Sequence, residues 1–99
     1  MNINYTARNC EFTDEMKEYF EKKMKKVKFY FNHILNVNVI VSFERSIYNI
    51  EVKIPADHST FFAEGSSSSW NEAIDIVSDK IEKEIKKKKD KITDHHTGS

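Results

Sequence analysis

The spacing of hydrophobic positions changes several times along the chain, and each change predicts an element. In residues 2–8, NINYTAR, Ile3, Tyr5 and Ala7 alternate with polar neighbours, the period-two signature of a strand with one buried face. Thr13 followed by Asp14 and Glu15 then supplies an N-cap and early acids, so a helix starts there. Its apolar positions Met16, Phe20, Met24, Val27 and Phe31 form one stripe facing a core. The pattern lapses near Asn32 and His33. Val37, Val39, Val41 and Phe43 then alternate with polar or outward residues as a β-branched strand.

A further alternating run, Tyr48, Ile50, Val52 and Ile54, is predicted to stop at Pro55-Ala56-Asp57, and another, Thr60 to Glu64, follows the turn. These three runs read as an antiparallel meander. Gly65 to Ser69, GSSSS, reads as a polar connection from sheet to helix, with Ser69 and Glu72 forming a capping box. From Trp70 the positions Trp70, Ile74, Val77, Ile81 and Ile85 predict a second amphipathic helix reaching Lys86 and extending toward Lys91. The order is βαβββα, an α+β fold of one domain over residues 1–94, with 95–99 expected as a flexible tail.

Composition adds limits. With 38% hydrophobic and 32% charged residues, 99 residues can bury one core but not a recessed multi-layer active site. Cys10 is the one cysteine, so no internal disulfide forms, and a reducing cytoplasm is expected. Cys10 is read as a small buried hydrophobe in preference to a partly exposed thiol. No export signal or membrane span is read, nor any glycine-rich phosphate loop or nucleophile motif. His95-His96 lacks further ligands, and His33 and His58 fall in connections. No metal, cofactor, catalytic residue or small-molecule substrate is therefore expected.

Charge changes the picture most. The formal net charge is zero, yet thirteen of sixteen basic residues fall between Lys17 and Lys28 or between Lys80 and Lys91. At about 100° per residue, Lys80, Lys83, Lys87 and Lys91 share one flank of the second helix. On the first, Tyr19, Lys23, Lys26 and Tyr30 share a flank, and Lys22 and Lys25 point outward. Most lysine faces merely solvate a helix, and cations near a helix C-terminus complement its dipole. However, five lysines without an acid from Lys22 to Lys28, and four in succession from Lys86 to Lys89, exceed that need. Phosphates would convert the repulsion into binding through counterion release, and lysine in place of arginine predicts weak sequence preference. Trp70 is read as core or edge-of-core packing rather than a base-stacking platform; Tyr30, beside the lysines, could serve either way.

TARNCEFTDEMKEYFEKKMKKVKFYF, VNVIVSFER and AIDIVSDKIEKEIKKKKDK resemble the ribosome hibernation promoting factor and ribosome-associated inhibitor A family, also called sigma-54 modulation proteins. The similarity runs over about residues 2–92. It implies a four-stranded sheet with two helices on one face, similar to double-stranded RNA-binding domains. It also implies binding to the small ribosomal subunit, 30S or within 70S, at 16S rRNA in the decoding region, blocking mRNA and tRNA. The family's basic positions fall on Lys23, Lys26, Lys80, Lys83, Lys87, Lys89 and Lys91, with Arg8 and an aromatic at Tyr30; Lys22 joins them from the helical geometry. Ser69-Trp70-Asn71 departs from the family's usual Asp-Met-Tyr. The resemblance is to the short members, expected to be monomeric off the ribosome. The alternative class is a double-stranded RNA-binding module acting off the ribosome, and a third is a protein-interaction domain using the sheet's outer face.

Overall fold

The computed structural model describes residues 2–30, 36–56 and 59–97, with side chains at 2–27, 36–55 and 60–87. Its order is β1 (Asn2–Arg8), α1 (Asp14–Tyr30), β2 (Asn36–Glu44), β3 (Ile47–Ala56), β4 (Ser59–Ser67) and α2 (Trp70–Thr97). The sheet runs β1-β2-β3-β4, with β1 parallel to β2 and the other two pairings antiparallel. β1, β2 and β4 therefore point the same way. Each helix returns against them, so α1 and α2 lie parallel to each other. The predicted α+β architecture is the observed one.

Register shows why a single face is apolar. Ile3, Val37, Val52 and their neighbours two residues along share one face, because Ile3 pairs with Val37, Val39 with Val52, and Val52 with Ala63. Val37, Val39, Val41, Ile50, Val52 and Ile54 are fully buried there. Met16, Phe20, Met24 and Val27 from α1 and Ile74, Val77, Ile81 and Ile85 from α2 cover them. Burying each such side chain contributes about 1.5 to 3 kcal/mol, so this layer dominates the fold. Phe31 and His33 lie outside the described residues, as does His58. Thr13 caps α1 as expected: its Oγ1 accepts from the Met16 N–H at 3.2 Å and its carbonyl from the Lys17 N–H at 3.0 Å.

Three boundaries and one cap differ from the sequence reading. β3 continues through Pro55 to Ala56, because its pairing with β2 ends at Asn38 and Lys53. Beyond that point Pro55 pairs with Thr60 alone, and its missing N–H costs no bond to β2. β4 extends through Gly65 to Ser67, so three of the five residues of the expected connection are strand. Gly65 is required there by close approach: a Cβ would lie 2.9 Å from both Ile76 Cγ2 and the Val77 backbone nitrogen. The capping box is replaced by another arrangement. Ser69 donates its N–H to Ser67 Oγ at 3.3 Å and its hydroxyl to Asn71 Oδ1, while its carbonyl accepts the Ala73 N–H at 3.0 Å. Finally, α2 continues to Thr97, beyond Lys91.

The reversal from β2 to β3 is a two-residue turn with positive φ at Arg45 (52°) and Ser46 (65°), the geometry that suits the twist of a hairpin. Cys10 is half-buried against the core, with its thiol 3.9 Å from the Val41 carbonyl. Trp70 packs at the core's edge, as its place on the stripe predicts.

Gly65 and Ser78 give opposite stability outcomes. Gly65→Ala should lower stability by about 1 to 3 kcal/mol, because the backbone of α2 must move to admit the methyl. Ser78 is buried and its hydroxyl has no partner. Ser78→Ala should thus fall within about 1 kcal/mol of neutral or be stabilising. Urea unfolding of both variants checks the pair; equal losses would contradict this account of α2's seating.

Candidate nucleic-acid interface

The parallel helices set the electrostatics. Asp14, Glu15 and Glu18 open α1 and Glu72 opens α2, so acids from both helices gather at one end. Lysines follow on both toward the other end. A neutral total is thereby resolved into an acidic and a basic end.

Tyr19, Lys23 and Asp75 join the two helices. Asp75 Oδ1 accepts from the Tyr19 hydroxyl at 2.6 Å and pairs with Lys23 Nζ at 3.0 Å. Lys23 Nζ also lies 5.5 Å from the centre of the Tyr19 ring. Tyr19 meets Trp70 edge-on, with ring centres 5.7 Å apart. Burial alone would raise the Asp75 pKa, but hydrogen bonds from Tyr19 and Lys23, with the lysine's charge, hold it below the ordinary carboxylate value. The bond to Asp75 raises both partners above their ordinary values: Tyr19 with added help from burial, Lys23 in spite of it. On the other side of α1, the Tyr5 hydroxyl donates to Glu21 at 2.9 Å, and burial followed by that carboxylate pushes the phenol up.

The predicted contact residues divide into groups. Lys22 and Lys26 are exposed on α1, as is Lys25, which faces outward with them. Lys83 and Lys87 are exposed on α2. No salt bridge engages these five among the described residues. Lys23 is half-buried and occupied by Asp75. Lys80 is exposed but donates to the Glu64 carbonyl of β4 at 3.0 Å, which covers part of that sheet edge. Tyr30 ends α1, and Lys89 and Lys91 lie within α2; their side chains are outside the described residues, as are those of His95 and His96. Arg8 is not brought to the lysines. It shares a strand face with Asn4 and Thr6, away from the helices, at the end of β1 that leads toward the acidic start of α1.

The α2 lysines also lie on a particular flank. Asp75 faces α1, and 100° steps place Lys83 about 80°, Lys87 about 120° and Lys80 about 140° round the helix from it. The same steps put Asp79 about 40° from Asp75 and Glu82 about 20° to its other side. Lys80, Lys83 and Lys87 therefore occupy the outer and β4-side flank, which Glu84 shares, while Asp75, Asp79 and Glu82 occupy the flank toward α1, where Lys86 lies among them paired with Glu82. Sequence reading found the helix faces but missed this bridge, whose signal is a tyrosine and a lysine one turn apart, at positions 19 and 23, on the flank of α1 that meets α2. At the acidic end, Glu15, Glu18, Tyr19, Lys22 and Trp70 line an open groove of about 270 Å³. No cluster of three potential metal ligands occurs among the described residues, and no described helix is long and apolar enough to cross a membrane.

A family model described as Sigma 54 modulation protein / S30EA ribosomal protein matches residues 3–93. The chain belongs to this family. Among S30EA relatives, a ribosome hibernation promotion factor of Bacillus subtilis is 32% identical over 97 residues, covering 93% of this chain and 50% of that protein. This chain thus spans half the length of that relative. The ribosome hibernation promoting factor of Escherichia coli K12 is 27% identical over 95 residues, covering 96% of this chain and all of that protein. The Thermus thermophilus Protein Y N-terminal domain superposes with a TM-score of 0.79 at 26% identity, covering 88% of this chain and 98% of that one. A ribosomal subunit interface protein from Coxiella burnetii shares the fold, with a TM-score of 0.84 at 21% identity, over 90% and 98% of the two chains.

The bridge between the helices predicts an acid-side stability change. A carboxyl whose pKa is depressed on folding contributes stability above its unfolded value, near 3.8, and loses it as pH falls through the folded value. Asp75→Asn should flatten part of the decline in melting temperature below that pH. At neutral pH it should cost under about 1 kcal/mol, because the Asp75 side chain is 42% exposed and solvent screens the pair. An unaltered acid limb would show that the ion pair contributes nothing in solution.

Proposed function

We propose that this chain is a ribosome hibernation factor that binds the small ribosomal subunit through 16S rRNA in the decoding region and excludes mRNA and tRNA. The observation that carries the reading is the set of exposed lysines, Lys22, Lys25 and Lys26 on one helix and Lys83 and Lys87 on its parallel neighbour, none of them engaged in a salt bridge among the described residues. Solvation alone does not require so many like charges along two adjacent helices. A phosphate surface does, since each neutralised phosphate releases condensed counterions. The family and the names of its relatives direct that chemistry to the ribosome. Such action is steric blockade, with no cofactor and no chemical step, by a cytoplasmic protein that is monomeric off the ribosome and meets 30S or 70S particles there.

Lysine sets the expected selectivity. An ammonium contacts phosphate as a point charge and lacks the fork that reads a guanine edge, so recognition follows the shape of a folded RNA more than its bases. Lys80, Lys89, Lys91 and Tyr30 belong to the proposed contact set by position. Arg8, on the far face of the sheet, would touch rRNA only where the ribosome wraps around the domain.

Replacing Lys83 and Lys87 with Glu together should abolish co-sedimentation with small subunits while leaving the far-UV spectrum and melting temperature nearly unchanged. The wild-type affinity should fall steeply with salt, several logarithmic units of affinity per unit of log salt for a surface of this many cations. Binding that ignores both the substitutions and the salt would remove the phosphate reading in favour of a protein contact. Tighter binding to an isolated RNA duplex than to ribosomes would favour a module acting away from the ribosome.

A further inference from the structure

Between the two groups of exposed lysines lies a line of carboxylates. Asp75 is bound to Lys23 and Tyr19, Asp79 is close enough to bear on the Lys23 charge, and Glu82 pairs with Lys86 at 3.5 Å. All three lie on the α1-facing to outward arc of α2, while Lys83, Lys87 and Lys80 lie farther round, toward β4. A phosphate chain laid along the furrow between the helices would therefore meet two ion pairs, Lys23 with Asp75 and Lys86 with Glu82, and beside them the carboxylate of Asp79.

We propose that Asp75, Asp79 and Glu82 act as an internal substitute for phosphate, closing the furrow between α1 and α2 to RNA and directing the polyanion onto two separate shoulders. One shoulder is Lys22, Lys25 and Lys26; the other is Lys83 and Lys87. This rests on the rRNA-binding reading and makes it more specific: the ligand is a folded RNA offering two spaced phosphate runs, and a lone single strand fits poorly because it would have to cross or follow the acidic wall. Asp75 is a positioning residue in this scheme. It touches no RNA, and it keeps Lys23 out of the contact.

The geometry distinguishes Asp75 from a merely structural group. Asp75→Asn leaves a side chain able to hydrogen-bond Tyr19, yet it frees the Lys23 charge for phosphate. Tyr19→Phe removes a hydrogen bond to the same carboxylate but leaves the ion pair intact. Two substitutions that weaken the same bridge thus differ in the number of cations available to RNA.

The test measures salt dependence of binding to purified small subunits, and to a 16-nucleotide single-stranded RNA, for wild type, Asp75→Asn, Asp79→Asn and Tyr19→Phe. Asp75→Asn should steepen the logarithmic salt slope by about one and tighten single-strand binding several-fold at about 0.1 M salt, as one added phosphate contact requires. Asp79→Asn, at an exposed position, should tighten single-strand binding in the same direction and keeps the test open if Asp75→Asn folds poorly. Tyr19→Phe should leave the slope unchanged. Unchanged slopes in both aspartate variants, or weaker binding by folded protein, would overturn the divider while leaving the lysine-dependent reading in place. Loss of salt dependence in wild type itself would instead remove that parent reading.

Discussion

Everything in this domain depends on covering one sheet face with two helices that run in the same direction. β1, β2 and β4 are parallel in direction; α1 must return antiparallel to carry the chain from β1 to β2, and α2 packs back over β4 and β3 in the same sense. Their apolar stripes then fill the same layer over Val37, Val39, Val41, Ile50, Val52 and Ile54. A helix arrangement of opposite sense would place the first-turn acids of one helix beside the late lysines of the other. The observed one aligns the two gradients, so charge segregation along each helix becomes charge segregation across the molecule.

Magnitudes settle whether backbone dipoles cancel this polarity. Each helix carries roughly half a positive charge at its N-terminus and half a negative charge at its C-terminus. Two parallel helices thus bring about one unit of each sign to the ends, opposed by several whole side-chain charges. The side chains prevail. The dipoles explain why acids first and lysines later are tolerated in each helix, and the excess of lysine is what remains for another molecule. Against this background the Tyr19, Lys23 and Asp75 bridge is modest in energy: the buried stripe Ile74, Val77, Ile81 and Ile85 sets which flank of α2 meets α1, and the bridge forms on that flank and occupies Lys23.

Most of the fold was legible because its core obeys simple periods. Met16, Phe20, Met24 and Val27 recur as a helix stripe, and Val37, Val39 and Val41 alternate as a strand, so local spacing and tertiary burial agree. The boundaries were less legible where tertiary geometry decided them. Pro55 stays in β3 only because β2 has already ended, and Gly65 belongs to β4 through its pairing with Ile50, beneath a helix backbone that leaves no room for a Cβ. The hairpin at Arg45 and Ser46 carries no glycine or asparagine to announce its positive φ. At the interface, helical angles revealed which lysines share a flank, yet no property of either helix alone could say that Asp75 would cross to Lys23. Arg8 is a different case, since the alternation of Ile3, Tyr5 and Ala7 already puts it on the face away from the core.

The length of α2 carries a consequence for how the domain is sensed from outside. Its 28 residues, Trp70–Thr97, make a rod of about 42 Å, whereas ions at physiological strength screen charges beyond about 8 Å. An approaching anionic surface therefore registers only the nearest part of the molecule and never its sum. Far away the domain is electrically silent; close by it experiences a torque that turns one tip inward. For a rod of this kind the isoelectric point describes a chain, while encounter is governed by whichever tip arrives first.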